Sequence, residues 1–181
     1  MTASPDPAAT ALLVVDLFCG LGGFSAAFRK RGHRVLGIDI VPPADVLADL
    51  SRGVPLRGEI DVLLASPPCT EFSRESMPWK KTGKTPDMTL VRAAFAAVEE
   101  LRPYFWAIEN VRGAVRWFPR APTMRVGSRY LWTNIPLARI PDASAMGKER
   151  LGPSPDRHRL RSMIPPELSM ALCLSCERSA A

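Results

Sequence analysis

The chain reads as an α/β protein, a mostly parallel sheet with helices on both faces. Three features point there. Short apolar runs recur and end in polar residues, a glycine-rich turn follows the first run, and a helical pattern separates the first two runs. Strand, turn, helix, strand is how a parallel sheet opens. At 181 residues with 46% hydrophobic content, the chain has the size of one domain with a real core.

In chain order, MTASPDPAAT (1–10) reads as a frayed tail without the basic and apolar regions of a secretory leader. ALLVVDLF (11–18) is a buried strand, and CGLGG (19–23) turns the chain into a helix over FSAAFRKRG (24–32) with Gly32 as its C-cap. RVLGIDI (34–40) is the second strand, PPADVLADL (42–50) suits a short helix, and EIDVLLAS (59–66) is the third strand. Residues 73–88 carry Pro78, Gly83 and Pro86 and predict a loop. Leu90, Val91, Ala94, Phe95, Val98 and Leu101 then follow helical spacing, with Asp87 as N-cap. YFWAIENV (104–111) and SRYLWTNI (128–135) read as strands, 136–160 as loop, and PPELSMALCLSCE (165–177) as a closing helix whose Leu168, Ala171, Leu172 and Cys176 share a face. The expected organisation is a tail over 1–10, a catalytic and cofactor-binding domain over 11–135, a short variable loop over 136–160, and a helix within 161–181 that packs back on the domain.

The composition narrows the function classes. No run of 18 apolar residues exists, so a membrane span is not expected and the cytoplasm is the expected compartment. Four cysteines are too few for a disulfide scaffold at this length. Cys173 and Cys176 form one CxxC without a second ligand pair, which predicts structural thiols and no metal; His33 and His158 stand alone. The net charge of +6 is uneven: Arg112 to Arg161 holds eleven Lys or Arg against three acids. Such a basic half suits a polyanion, nucleic acid first.

Three stretches carry candidate chemistry. In Asp16-Leu17-Phe18-Cys19-Gly20-Leu21-Gly22-Gly23, glycines after a buried strand allow a tight turn and close approach to a ligand. The pattern is neither GxGxxG nor a P-loop. With Asp39 at the end of the second strand, placed to bond a ribose hydroxyl, it suggests a nucleoside-containing cofactor. Pro67-Pro68-Cys69 ends the third strand. Proline restricts its own φ and the preceding residue, so the thiol after it is held in a defined direction, as a nucleophile requires. Glu109-Asn110 ends the next strand, which brings a proton-holding carboxylate to the edge expected for Asp16, Asp39 and Cys69.

DLFCGLGGFS, SPPCTEFS and ENV, in this order, resemble motifs of the DNA cytosine-5 methyltransferase family. IPPELSMAL resembles the family's last motif, and the likeness runs through nearly all of the chain beyond the tail. The resemblance implies a Rossmann-like fold that binds S-adenosyl-L-methionine through Asp16, Phe18, Gly20, Leu21, Gly22, Gly23, Asp39, Ile40, Asp49, Leu50 and Pro67. It implies Cys69 as the nucleophile on cytosine carbon 6, Glu109 as the group at ring nitrogen 3, and Pro68 and Asn110 as their positioners. In MRVGSRYLW, similar to the arginine-bearing motif, Arg129 is the better match and Arg125 the other. The loop with Ser73, Arg74, Trp79, Lys80, Lys81 and Lys84, together with Arg125, is expected to contact the nucleic acid. Double-stranded DNA is the implied partner and a monomer the expected state.

The chain also departs from the family pattern. Residues 136–160 are too few for a separate recognition domain, the catalytic motifs are closely spaced, and the arginine motif lacks its usual glutamine. These departures suit either a compact phage or mobile-element enzyme of relaxed specificity or one that relies on a targeting partner. Two other readings stay open: an RNA cytosine methyltransferase with the same motifs, and a non-catalytic module that binds cofactor or nucleic acid.

Overall fold

The structure, a computed structural model, describes residues 11–75, 84–136 and 163–180. Seven strands form one sheet: β1 (Leu13–Leu17), β2 (Arg34–Asp39), β3 (Val46–Leu47), β4 (Val62–Ala65), β5 (Phe105–Val111), β6 (Met124–Val126) and β7 (Arg129–Thr133), in the order β3-β2-β1-β4-β5-β7-β6. The pairs among β1 to β5 are parallel, whereas β7 runs antiparallel to both β5 and β6. The order runs outward from β1 in one direction and from β4 in the other, so the sheet is Rossmann-like with its switch point between β1 and β4.

The apolar runs are continuous because both faces of the sheet are covered. In β4 every residue is buried: Val62 and Leu64 join the core beneath α1 (Ala26–Lys30) and α4 (Pro166–Ala180). Leu63 and Ala65 join the opposite core, which includes Val91, Ala94 and Ala97 of α3 (Thr89–Leu101). A fourth helix, α2 (Thr70–Glu75), starts directly after the quoted cysteine.

Two expectations shift. Residues 42–50 form no helix: β3 lies there, followed by a 3-10 turn over Leu50–Arg52. The backbone explains this, since Asp45 N–H donates to Gly37 O and Ala48 N–H to Asp39 O, so the donors a helix would use are paired with β2. The Asp45 carboxylate adds bonds from Gly37 N (2.7 Å) and Arg29 Nη2. At α3, Met88 is the capping position, while the Asp87 carboxylate accepts from Thr89 N at 2.8 Å. The loop expected from residue 73 yields to α2 through Glu75; residues 76–83 and most of 136–160 lie outside the described residues.

In α4, Leu168, Leu172, Cys173 and Cys176 are buried, and Ala171 is only half-buried. Ser169 is buried too, because its hydroxyl donates to Phe24 O (2.7 Å) and accepts from Ala27 N (3.0 Å), filling backbone groups at the start of α1. Ser169→Ala leaves both unpaired in an apolar setting. We expect it to lower the unfolding free energy by about 1–3 kcal/mol, read as a shifted urea midpoint at constant slope; an unshifted midpoint would remove Ser169 as the link between α1 and α4.

Candidate active site

A cavity of about 630 Å³ opens at the C-terminal edge of the parallel strands. This is where open α/β sheets bind ligands. Its wall is built strand by strand: the turn after β1, the end of β2, the turn after β3, the loop after β4 and the end of β5.

The β1 turn depends on backbone that most residues resist. Gly20 and Gly22 have φ of 54° and 76°, and Phe18, which is not a glycine, stands at 57°. Gly22 N–H closes the turn on Cys19 O at 2.7 Å. Gly23 serves a different purpose: a Cβ there would sit 3.1 Å from Ile164 N, so this glycine admits the chain entering α4. Asp39 ties the turn to β2. Its Oδ2 accepts from Gly20 N (2.9 Å), and its Oδ1 accepts from Ile40 N (2.7 Å) and Val41 N (3.3 Å). Ile40 is 65% exposed on the cavity wall, an apolar surface available to a ligand ring. Leu50 is buried beneath the same wall, and the Asp49 carboxylate accepts from Ser51 N and Oγ, the hydroxyl bond first among the causes that hold it below the usual range.

Asp16 is placed differently from the expectation. Strand alternation turns it with Val14 toward the α1 face, fully buried and outside the cavity lining. Its Oδ2 accepts from Ser25 Oγ at 2.6 Å, and its Oδ1 has no partner among the described residues. Burial pushes this carboxyl from 3.8 up to about 7, against the hydrogen bonds from Ser25. Burial and then the carboxylates of Asp16, Asp39 and Asp45 push the Cys19 thiol up to about 12, so this cavity-lining sulfur stays protonated at neutral pH.

The other end of the cavity holds Cys69 and Glu109. Parallel pairing of β4 with β5 sets Ala65 opposite Ile108, so Ser66 and Glu109 follow side by side, β4 ending while β5 continues against β7. Pro67 and Pro68 bring no N–H groups to the loop, and the Pro67 carbonyl accepts from buried Asn110 Nδ2 at 3.0 Å. The Cys69 carbonyl accepts from Ser73 N (2.9 Å), the first helical bond of α2. Glu109 is buried with both oxygens engaged: Ser66 Oγ donates to Oε2 (2.7 Å) and Arg129 Nη1 to Oε1 (2.9 Å). Arg129 Nη2 also donates to Met163 O at 2.6 Å. The antiparallel register makes this reach possible, since Arg129 lies opposite Val111, diagonal to Glu109 on one face.

Of the predicted residues, Phe18, Gly20, Leu21, Gly23, Asp39, Ile40, Asp49, Leu50, Pro67, Pro68, Cys69, Ser73, Glu109 and Arg129 line the cavity. Gly22 lies in the turn and Asn110 behind the wall. Arg125 is exposed away from the cavity, bonded to Gly127 O, and Lys84 is exposed outside the lining. Trp79, Lys80 and Lys81 and the Arg74 side chain lie outside the described residues. The sequence reading passed over Ser66, Arg112 and Gly113. Ser66 carried a signal, as the hydroxyl directly before Pro67; the other two carried none beyond following ENV. His33, Cys173 and Glu177 also cluster, within 4.8 Å. His33 Nδ1 accepts from Leu12 N, so the neutral ring's proton is on Nε2 and donates to Glu177, which Arg31 also binds: a link between α1 and α4.

Residues 47–117 match the model of the C-5 cytosine-specific DNA methylases. Over that segment the chain is similar to this family. It is 30% identical over 115 residues to the type II methyltransferase M.AplI of Arthrospira platensis, covering 56% of this chain and 32% of that protein. It is 31% identical over 124 residues to M.AgeI of Thalassovita gelatinovora, covering 55% and 28%. It is 32% identical over 99 residues to the 23S rRNA (uracil(1939)-C(5))-methyltransferase RlmD of Shewanella woodyi, covering 43% and 22%. The chain thus spans less than a third of the length of these curated relatives. The matched segment of the methylase model includes both Cys69 and Glu109.

Two predictions follow from this packing. A Cβ on Gly113 would lie 2.2 Å from the Phe72 carbonyl oxygen, so Gly113→Ala must push α2 away. We expect a loss of about 1–3 kcal/mol of stability in denaturant unfolding; an unchanged midpoint would mean that α2 shifts without cost. For Asp16, the raised folded value stabilises the chain below its ordinary 3.8, and this is lost as pH rises through about 7. Asn cannot ionise. Asp16→Asn should therefore gain on the unaltered chain as pH climbs from about 4 to about 8, and a gap that stays constant in urea unfolding at both pH values would refute the shift.

Proposed function

We propose that the chain transfers a methyl group to carbon 5 of cytosine in DNA. The observation that carries this reading is the buried junction of β4 and β5, which puts a fixed thiol and a hydrogen-bonded carboxylate on one end of a cavity whose other end is a glycine turn. The cavity's volume of about 630 Å³ is in the range of small-molecule sites. The glycine turn, Asp39 and exposed Ile40 suit the sugar and ring of a nucleoside, and with Asp49 and Leu50 they would hold S-adenosyl-L-methionine. When bound, that cofactor supplies an electrophilic methyl group.

The residues of the chain divide the remaining work. A cytosine buried in a duplex must leave the stack to enter the cavity. Cys69 sulfur, as thiolate, forms a bond to ring carbon 6, and the displaced ring electrons make carbon 5 nucleophilic. Glu109 stabilises the charge that reaches ring nitrogen 3 by a proton or hydrogen bond. Arg129 donates to Oε1 and the Ser66 hydroxyl to Oε2, and together they fix the direction of the carboxyl group. After carbon 5 has gained its methyl group, loss of its proton to a base returns the electrons to the ring and expels the thiolate. Asn110 holds the thiol loop through Pro67 while this occurs.

A second reading takes RNA as the polymer, favoured by the likeness to an rRNA methyltransferase. The purified chain with methyl-labelled S-adenosylmethionine, offered duplex DNA and total RNA separately, decides between them. Label at cytosine carbon 5 of DNA is the expected result; label in RNA alone would shift the substrate, and label in neither would leave a binding module. Cys69→Ser should abolish transfer, and Glu109→Gln should slow it roughly 100-fold to 10,000-fold, both with cofactor affinity retained. Full transfer by Cys69→Ser would overturn the covalent route.

A further inference from the structure

Among the described residues, the charged side chains that line the cavity are Asp39, Asp49, Glu109, Arg112 and Arg129. Four are committed. Asp39 accepts backbone N–H groups, Asp49 holds Ser51, and Glu109 and Arg129 bind each other. The Arg112 guanidinium has no hydrogen-bond or ion-pair partner among the described residues, and the residue is exposed at the cavity wall.

Its place argues for one ligand. Arg112 follows Val111 at the end of β5, beyond β4 from the glycine turn and two strands beyond β1 from Asp39 on β2. It therefore stands on the side of the site where Cys69 and Glu109 meet the substrate. The sequence around it continues the charge: from Val111 to Pro136 there are five arginines and no acid, and Arg112, Arg116 and Arg120 recur every four residues, all exposed. Arg116 and Arg125 lie 5.0 Å and 5.8 Å from the ring centroids of Trp117 and Tyr130, so aromatic faces steady them.

Resting on the reading above, we propose that Arg112 binds a backbone phosphate of the nucleic acid beside the nucleotide whose base enters the cavity. Arg116, exposed four residues further on, is placed to extend that contact, whereas Arg120 pairs with Glu99 and Arg125 bonds Gly127 O away from the cavity. A guanidinium matches a phosphate through paired hydrogen bonds, and such contacts position a substrate without reading its sequence.

Because the contact is independent of sequence, no target site is needed for the test. Binding of a fluorescent duplex is measured against salt concentration for the unaltered chain, Arg112→Gln, Arg112→Lys and Arg102→Gln. Arg102 is an exposed residue between α3 and β5, at the opposite edge of the sheet, and controls for loss of one charge. Affinity for S-adenosylmethionine is measured by calorimetry on the same proteins. We expect Arg112→Gln to weaken binding equally on unrelated duplexes and to reduce the slope of log affinity against log salt by about 0.9. Arg112→Lys should keep most of the slope, Arg102→Gln all of it, and cofactor affinity should not change. A slope for Arg112→Gln equal to that of Arg102→Gln overturns the proposal and leaves the methyl-transfer reading standing. Weakened cofactor affinity with an unchanged slope assigns the arginine to the cofactor's carboxylate and also overturns it. An unaltered chain that binds no duplex at low salt rejects the DNA reading itself, and the proposal with it.

Discussion

The buried hydrogen bond from Asn110 Nδ2 to the Pro67 carbonyl joins two chain segments that are 43 residues apart. Two successive prolines stiffen the loop before Cys69, and proline restricts the residue before it as well. A stiff loop is useful only if something sets its direction. Asn110 does so from the end of the neighbouring strand, and its own Oδ1 accepts from Val111 N, which fixes the amide's orientation. Thiol loop and carboxylate strand are therefore joined directly.

The link could not form without the parallel register of β4 and β5, and that register rests on burial of both faces of the sheet. The reversed strand β7 adds what parallel strands cannot. Running antiparallel to β5, it starts opposite Val111 and sends Arg129 diagonally to Glu109. A buried carboxylate without a partner would carry a heavy desolvation cost. Arg129 offsets that cost, and by also holding Met163 O it ties the entry of α4 to the site. The closing helix is also bound at both ends of α1, through Ser169 at its start and Glu177 at its end.

Where the sequence reading succeeded, the signal was local. Apolar runs, the glycine turn, PPC and ENV each lie within one short stretch, and their strand ends converge because parallel strands share an edge. Where it failed, a distant partner had intervened. Residues 42–50 have the composition of a short helix, yet β2 takes their backbone donors. Asp16 ends an apolar run much as Asp39 does, yet β1 continues one residue past it and alternation turns its carboxylate beneath the turn. The hairpin of β6 and β7 was half seen, because three residues of MRV carry too little pattern to call a strand. Gly113 looked like any glycine after a strand until the carbonyl of Phe72 lay against it.

The sequence by itself determined the fold class and which strand ends carry the candidate thiol and carboxylate. These depend on residue type and on periodicity, which are properties of neighbours along the chain. Tertiary structure alone decided which charges are spent and which are free. Asp39, Asp49 and Arg129 are held by partners within the fold, Asp16 is sealed below the site, and Arg112 faces the cavity without a partner among the described residues. The physical reason is that a side chain's charge acts through its distance to other charges and to water. Those distances are set only when strands far apart in sequence are brought to the same edge.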